Sequence, residues 1–312
     1  MKTEILRAGS SEAIARAVKL LREGAAVALP TETVYGLAAD ALKEEAVLKI
    51  FAAKDRPRFD PLIVHLPDSD WIGRVAVVED SAREILDRLR ARFWPGPLTF
   101  VLPRRTLVPD LVTSGLDTVA IRISSHPVFG EVIRGFGGPL AAPSANRFGR
   151  ISPTAADHVR EELDGLIPLI LDAGTTTHGL ESTIVALRNG RIEVLRRGPI
   201  TKEQLAEFGE VFVVPSGPRP EAPGQLPSHY APRTPLVLVD DLTSFVPPVG
   251  QKCGFIQMRT LSERGDLAEA AANLFRCLRE LDHAGLDLIV AEKLPDEGLG
   301  AAINDRLRRA AK

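Results

Sequence analysis

Residues 30–65 read PTETVYGLAADALKEEAVLKIFAAKDRPRFDPLIVH, and the fold is decided by what bounds this stretch. The apolar run AAVAL at 25–29 enters it, and LIVHL at 62–66 closes it; both read as buried strands. Between them Asp40 is placed to cap a helix whose buried side carries Val47, Ile50 and Phe51 and which runs into Lys54. Thr31 and Thr33 follow the first strand, and Lys54, Arg56 and Arg58 precede the second. Open α/β sheets bind ligands at strand ends. Hydroxyls at one end and cations at the other give the first expectation, a phosphate-handling site.

The rest of the chain extends the α/β pattern. An amphipathic helix is expected over 11–23, with Ile14, Val18 and Leu21 on one stripe and Gly24 as its stop. Another is expected near 80–91, before Phe93-Trp94-Pro95-Gly96-Pro97 breaks the chain. Strands follow at 98–102 and 118–123, then a short helix from Pro127. Ser152-Pro153 reads as a cap and first helical position opening a helix to about Leu163. A buried strand is expected at 167–171. Asn189-Gly190 between 183–187 and 191–195 is the strongest hairpin signal. Thr201 and Gln204 form a capping box that Ile200 staples onto Leu205.

At 215–235 the sequence becomes PSGPRPEAPGQLPSHYAPRTP, whose prolines forbid regular helix and leave a semi-rigid linker. Beyond it, strands at 236–239, 254–258 and 286–291 and helices at 266–284 and 301–311 read as a small independent layer around a parallel sheet. The expected division is therefore a domain over 1–214, a linker over 215–235 able to lie across it, and a C-terminal α/β domain over 236–312.

Composition narrows the class. With 312 residues, 45% apolar and 26% charged, the chain has ample length for a core and no apolar span of membrane-helix length. The N-terminus lacks the apolar segment of a secretory signal, and the two cysteines, Cys253 and Cys277, match no zinc or redox spacing. A cytoplasmic location is expected. A net charge of −2 argues against wholesale wrapping of nucleic acid while leaving room for a local anion site.

No P-loop is present, and Gly298-Leu299-Gly300 lacks the third glycine and the preceding strand of a dinucleotide fingerprint. Nucleotide binding would rest on side-chain cations and hydroxyls. Arg56 offers paired phosphate contacts and Lys54 a compact charge, although a solvated charge run is the plainer reading of such a triplet. His65 interrupts an apolar strand and reads either as a core residue or as a ligand. Pro143-Ser144-Ala145-Asn146 can form an anion-binding nest or a plain turn. The hairpin brings Glu181-Ser182-Thr183 beside Arg196-Arg197-Gly198. The only tyrosines, Tyr35 and Tyr230, each lie in a candidate segment.

Taken together, T-E-T-V-Y-G-L-A, K-D-R-P-R-F-D-P-L-I-V-H, W-P-G-P-L-T, D-T-V-A-I-R-I, A-P-S-A-N, E-S-T-I-V and the tail S-H-Y-A-P-R-T-P-L with L-P-D-E-G-L-G-A-A-I-N-D-R-L-R-R-A-A resemble threonylcarbamoyl-AMP synthases of the longer, two-domain type. The resemblance covers nearly the whole chain in order. It implies a YrdC-like fold, a twisted open mixed sheet with helices, plus a smaller Rossmann-like C-terminal domain. It implies L-threonine, bicarbonate and ATP as substrates, magnesium on the triphosphate, and threonylcarbamoyl-AMP and pyrophosphate as products. The downstream partner would be the machinery that makes N6-threonylcarbamoyladenosine at position 37 of tRNA.

By motif, Thr33, His65, Arg122, Ser182 and the backbone near Ala142 would hold threonine. Arg56, Asp60, Thr118, Ser144, Ser152, Arg196 and Tyr230 would line the ATP site, and Lys54 with Arg56 would neutralise phosphates. Two positions depart from the family pattern: Asp60 stands where Asn is usual, and the linker lacks the usual Lys while keeping His229 and Tyr230. The competing reading is an RNA-binding protein of the same fold without adenylate synthesis. A carbamoyl transferase of the hydrogenase-maturation type would carry additional domains. The linker is expected to order over the nucleotide.

Overall fold

In the computed structural model, which describes residues 2–215, 217, 220–226 and 228–311, eleven strands build one mixed sheet. They are β1 (Glu4–Arg7), β2 (Val27–Leu29), β3 (Gly36–Asp40), β4 (Ile63–His65), β5 (Leu98–Pro103), β6 (Thr118–Arg122), β7 (Leu140–Ala141), β8 (Leu169–Asp172), β9 (Thr183–Arg188), β10 (Arg191–Arg196) and β11 (Val211–Val213). Their spatial order is β1-β8-β2-β3-β7-β4-β6-β5-β9-β10-β11. Parallel and antiparallel pairs are mixed along it: β4 pairs β6 parallel, while β2 pairs β3 antiparallel.

Strands in the middle of the sheet are buried on both faces, which explains their lack of alternation. Successive residues still part to opposite layers, as the two-residue period requires. Val27 and Leu29 join the helices Ser11–Arg22 and Pro127–Phe136 through Leu21, Phe129 and Val132. Ala28 faces the other layer, where Val47, Ile50 and Phe51 of the helix Glu44–Lys54 meet Leu86 and Leu89 of Asp80–Phe93.

The opening stretch differs from its expected form. β3 turns back antiparallel on β2, so Pro30–Tyr35 is the loop of a hairpin and not a strand-to-helix turn. Gly36-Leu37-Ala38-Ala39 gave no strand signal because its small residues have weak β propensity; tertiary burial forms the strand. Asp40 ends β3 with its carboxylate on the Leu42 amide, and Lys43 precedes the helix without a side-chain cap. Ser152 likewise does not cap a helix. The helix runs Ala156–Leu163, and 152–155 stays extended because the Pro153 and Thr154 carbonyls accept the amides of Tyr35 and Thr176.

Elsewhere local chemistry decides local structure. Asn189 and Gly190 both take positive φ, 53° and 70°, as a two-residue hairpin turn with β-compatible twist demands. Thr201 and Gln204 close a reciprocal capping box, and Ile200 and Leu205 are buried in the same core. At the Trp94–Leu98 corner, a Cβ on Gly96 would collide with the Phe93 carbonyl, so only glycine makes this turn. Its carbonyl is thereby aimed at Arg122.

After the linker, β12 (Leu236–Val239), β13 (Cys253–Ile256) and β14 (Leu288–Glu292) form a parallel sheet in the order β12-β14-β13. The helices Leu267–Asp282 and Gly298–Ala310 pack with it. This layer is not independent. Val34, Ile151, Leu180 and Tyr230 belong to the same buried cluster as Phe275, Leu278 and Ile303. Polar contacts reinforce the seam: Arg279 lies 2.6 Å from Glu162, and Arg306 donates to Glu181 at 2.8 Å. Positions 216, 218, 219 and 227 of the expected linker lie outside the described residues.

Candidate active site

The hairpin loop at 30–35, the ends of β4, β6 and β7, the 142–144 turn, the mouth of the β9–β10 hairpin and the linker converge on one cavity. Thr33, Arg56, His65, Arg122, Ala142, Ser144, Ser182, Arg196 and Tyr230 all line it. Lys54, Asp60, Thr118 and Ser152 are not among the lining residues.

One end is built around Arg122, the last residue of β6 and 3% exposed. Its Nε donates to the Gly96 carbonyl at 3.1 Å and its Nη1 to Thr33 Oγ1 at 3.1 Å. Its Nη2 stands 2.6 Å from Glu32 Oε1, an ion pair whose alignment is poor for a hydrogen bond. Glu32 also accepts Ser124 Oγ at 2.5 Å. Burial opposes its charge, yet Arg122 and Ser124 outweigh that and hold the Glu32 carboxyl down at about 2.

Thr31 fixes the loop: its hydroxyl donates to the Val34 carbonyl at 2.6 Å and accepts the amides of Thr33 and Val34. With that proton spent, the 2.8 Å contact between the two threonine hydroxyls is donated by Thr33, whose remaining lone pair faces Arg122.

His65 sits opposite, 2% exposed and packed against Phe129 with ring centroids 4.6 Å apart. Its Nδ1 has no partner among the described residues. Burial, with Arg122 nearby, lowers its pKa to about 3, so the ring is neutral at physiological pH.

The other end carries Arg56 and Arg196. Arg56 donates to the carbonyls of Asp60 and Pro61, and its Nη2 lies 2.8 Å from Asp60 Oδ2 in an ion pair that misses hydrogen-bond alignment. Asp60 is fully buried behind it, and burial raises its pKa above the usual aspartate value against the pull of Arg56. Arg196 donates to the Ser182 carbonyl, Ser182 Oγ and the Pro223 carbonyl, each at 3.1 Å. No described carboxylate is within ion-pair distance of Arg196, so this cation is met by neutral oxygens. Ser182 Oγ also contacts Thr99 Oγ1 at 2.8 Å.

Tyr230 closes this end at 1% exposure with its backbone at φ 66° and its hydroxyl unpartnered among the described residues. Its ring stacks on Phe275 at 5.5 Å and lies 4.2 Å from that of His229, which also lines the cavity. Burial pushes the phenol up to about 12 and the His229 imidazole down to about 3.

The three remaining residues take other positions. Lys54 points its ammonium at the carbonyls of Ser144 and Asn146, both at 2.5 Å, and so fixes the 144–146 turn from behind. Burial and the nearby Arg56 pull its pKa well below the usual lysine value. Ser152 donates to Glu181 at 2.5 Å. Thr118 begins β6 and pairs with Pro103, four residues and about 13 Å of strand from Arg122.

Sequence reasoning missed the buried acids. Glu181 lines the cavity and Glu32 supports it from behind Arg122, and a carboxylate buried this fully must have a cation.

A family model described as telomere recombination matches residues 19–198, and one described as the C-terminal domain of threonylcarbamoyl-AMP synthase matches 200–312. The chain is 41% identical to a Bacillus subtilis threonylcarbamoyl-AMP synthase, over 96% of this chain and 92% of that one. It is 40% identical to the Pyrococcus abyssi threonylcarbamoyl-AMP synthase, over 95% and 93%. The crystal structure of P. abyssi Sua5 complexed with L-threonine superposes with a TM-score of 0.90 at 36% identity, covering 99% of this chain and 98% of the other.

Proposed function

The chain belongs to the threonylcarbamoyl-AMP synthase family, and on that premise we propose that its cavity joins L-threonine, bicarbonate and ATP into threonylcarbamoyl-AMP, releasing pyrophosphate and water. The supporting observation is the division of one cavity into an end where Arg122 is ion-paired with Glu32 and an end where Arg196 meets neutral oxygens and has no described carboxylate within ion-pair distance. A zwitterionic amino acid suits the first. A triphosphate suits the second.

In this reading Arg122 receives the threonine carboxylate, Thr33 Oγ1 stands beside it as an acceptor, and the neutral His65 offers Nδ1 to the amino or hydroxyl group. The threonine nitrogen bonds to the bicarbonate carbon, water leaves, and an N-carboxylate results. A carboxylate oxygen then bonds to the α-phosphorus as the α–β anhydride bond breaks, and the electron pair leaves with pyrophosphate. Arg56 and Arg196 stabilise charge on the phosphates, with Ser144 and Tyr230 as neutral partners.

No lining side chain is poised as a nucleophile. The hydroxyls of Thr33 and Ser182 face arginines, and the Tyr230 phenol stays protonated. Rate enhancement comes from holding three reactants in register and from pre-set cations.

Magnesium would arrive on the triphosphate. Of the carboxylates here, Glu32, Asp60 and Glu181 each face an arginine, and no group of three or more metal-ligating side chains occurs among the described residues. The protein therefore does not offer a cage for the ion, and no step is assigned to it.

The product is placed upstream of the transferase machinery that threonylcarbamoylates tRNA. A cytoplasmic setting fits two unpaired cysteines, and no described helix is long and apolar enough to cross a membrane. The test is pyrophosphate release from ATP with threonine and bicarbonate omitted in turn. Release that depends on both is expected; release indifferent to threonine would overturn this reading, and salt-sensitive tRNA affinity without threonine-dependent turnover would replace it with the RNA-binding one.

A further inference from the structure

We infer that Arg306, on the C-terminal helix Gly298–Ala310, is a positioning residue for the nucleotide end of the cavity, so that the C-terminal domain supplies part of the catalytic wall. The inference rests on reading Arg196 and Tyr230 as nucleotide contacts.

Arg306 is the largest fully buried side chain among the described residues, at 0% exposure. Burying a guanidinium this completely is costly unless it is paired and hydrogen-bonded, so its partners indicate its task. Nε donates to Glu181 Oε2 at 2.8 Å, Nη1 to Asp305 at 2.9 Å and Nη2 to the Arg197 carbonyl at 2.9 Å. Two of these three partners belong to the catalytic domain, at the mouth of the β9–β10 hairpin. The guanidinium also lies over the Tyr230 ring, 5.1 Å from its centroid.

Glu181 is the point where this matters. It lines the cavity next to Ser182, which in turn holds Arg196. A carboxylate in that wall would repel phosphate unless it is neutralised. Facing it are Arg306 from the C-terminal helix, whose Nη1 is shared with Asp305, Arg196 from β10, Ser152 by hydrogen bond, and His229 and Tyr230 from the linker segment. His229 is neutral and Arg196 is engaged with Ser182 and Pro223, which leaves Arg306 as the direct counter-charge. One side chain thus cancels an unfavourable charge in the wall and supports the aromatic ring that closes it.

The experiment measures KM for ATP, KM for threonine and kcat between about pH 6 and 9 for the wild type, Arg306→Met and the double variant Arg306→Met/Glu181→Gln. The single variant is expected to raise the ATP KM at least tenfold with little change in the threonine KM. The rise should steepen with pH, because without Arg306 the burial of Glu181 is less offset and its carboxyl is pushed upward, so that its repulsive charge grows as pH climbs. Removing both charges should restore most of the affinity and flatten the profile.

Equal losses for both substrates, a flat profile in the single variant, or no recovery in the folded double variant would overturn the inference. If Arg306→Met does not fold, the double variant decides: near-wild-type ATP KM supports the role, and a tenfold rise or failure to fold assigns the pair to the fold alone. Wild-type turnover that does not need threonine would instead overturn the functional reading beneath it.

Discussion

The two ends of the cavity both rest on a buried arginine with a buried acid behind it, yet they differ in what the pair leaves over. At the Arg122 end the acid, Glu32, is held ionised and the charges cancel. At the Arg56 end burial raises the pKa of Asp60, and a second cation, Arg196, is satisfied by carbonyls and a hydroxyl. On the proposed assignment of the two ends, a neutral zwitterion would meet a balanced pair and a polyanion an excess, so that charge would be apportioned by substrate.

Arg56→Ala breaks that comparison hardest. It removes a lining cation and leaves Asp60 without its counter-ion at zero exposure, where losing one partner of a buried pair costs about 3–5 kcal/mol. Pyrophosphate release should fall by roughly a hundredfold or more, and the unfolding midpoint should drop as well. Adding Asp60→Asn should recover stability without recovering turnover. Recovery of both would show that Arg56 acts only as a structural partner.

Acid titration tests the pairs as stability elements. Glu32 and Glu181 are each lowered from 4.5 to about 2, so their contributions are complete above the unfolded value and are lost as pH falls from about 4.5 through 2. Each is on the order of 3 kcal/mol across the window. His65 and His229, lowered to about 3, act earlier: a chain that buries them neutral loses stability as pH falls below about 6.5. Denaturant midpoints should therefore decline in two stages, and Glu32→Gln should weaken the lower one. Midpoints level down to pH 3 would contradict the pairing.

Glu32→Gln also unbalances the Arg122 end, the one proposed to take threonine. With the acid neutralised, Arg122 keeps Thr33 and the Gly96 carbonyl but carries a net charge into the site. The expected result is a change in threonine KM of about tenfold, the scale of one charge-assisted contact, with ATP KM nearly constant. A matching change for ATP would show that the ends are not separate.

How much of this was legible beforehand depended on what carried the information. Arg122, His65 and Arg196 sit on strands, where register fixes direction, Ser182 immediately precedes one, and all four reach the cavity. Lys54 and Ser152 were legible as polar residues near the site but not in their orientation. Lys54 ends a helix and reaches back to the 144–146 turn, and Ser152 lies in an extended segment that only the pairing with Tyr35 and Thr176 reveals. Thr118 lies at the opposite end of β6 from Arg122, since spacing within a motif gives no distance in the fold. β3 was hidden by small residues, and Arg306 by 125 residues of separation from Glu181.

Asp60→Asn is the finest probe of the apportioned charge, because asparagine keeps an acceptor for Arg56 and deletes only the formal charge. If the excess at this end is what receives the triphosphate, removing a buried negative charge should leave ATP binding intact or tighten it, within about threefold, the effect of under 1 kcal/mol. Stability should fall modestly, by about 1 kcal/mol, because Arg56 exchanges an ionic partner for a neutral one at 3% side-chain exposure. The burial-raised pKa of Asp60 points the same way: a carboxyl already pushed toward neutrality gives up little when the charge is removed. A tenfold loss of ATP affinity in a stably folded Asp60→Asn protein would mean that the carboxylate itself orients Arg56, and that both ends of the cavity work as balanced pairs.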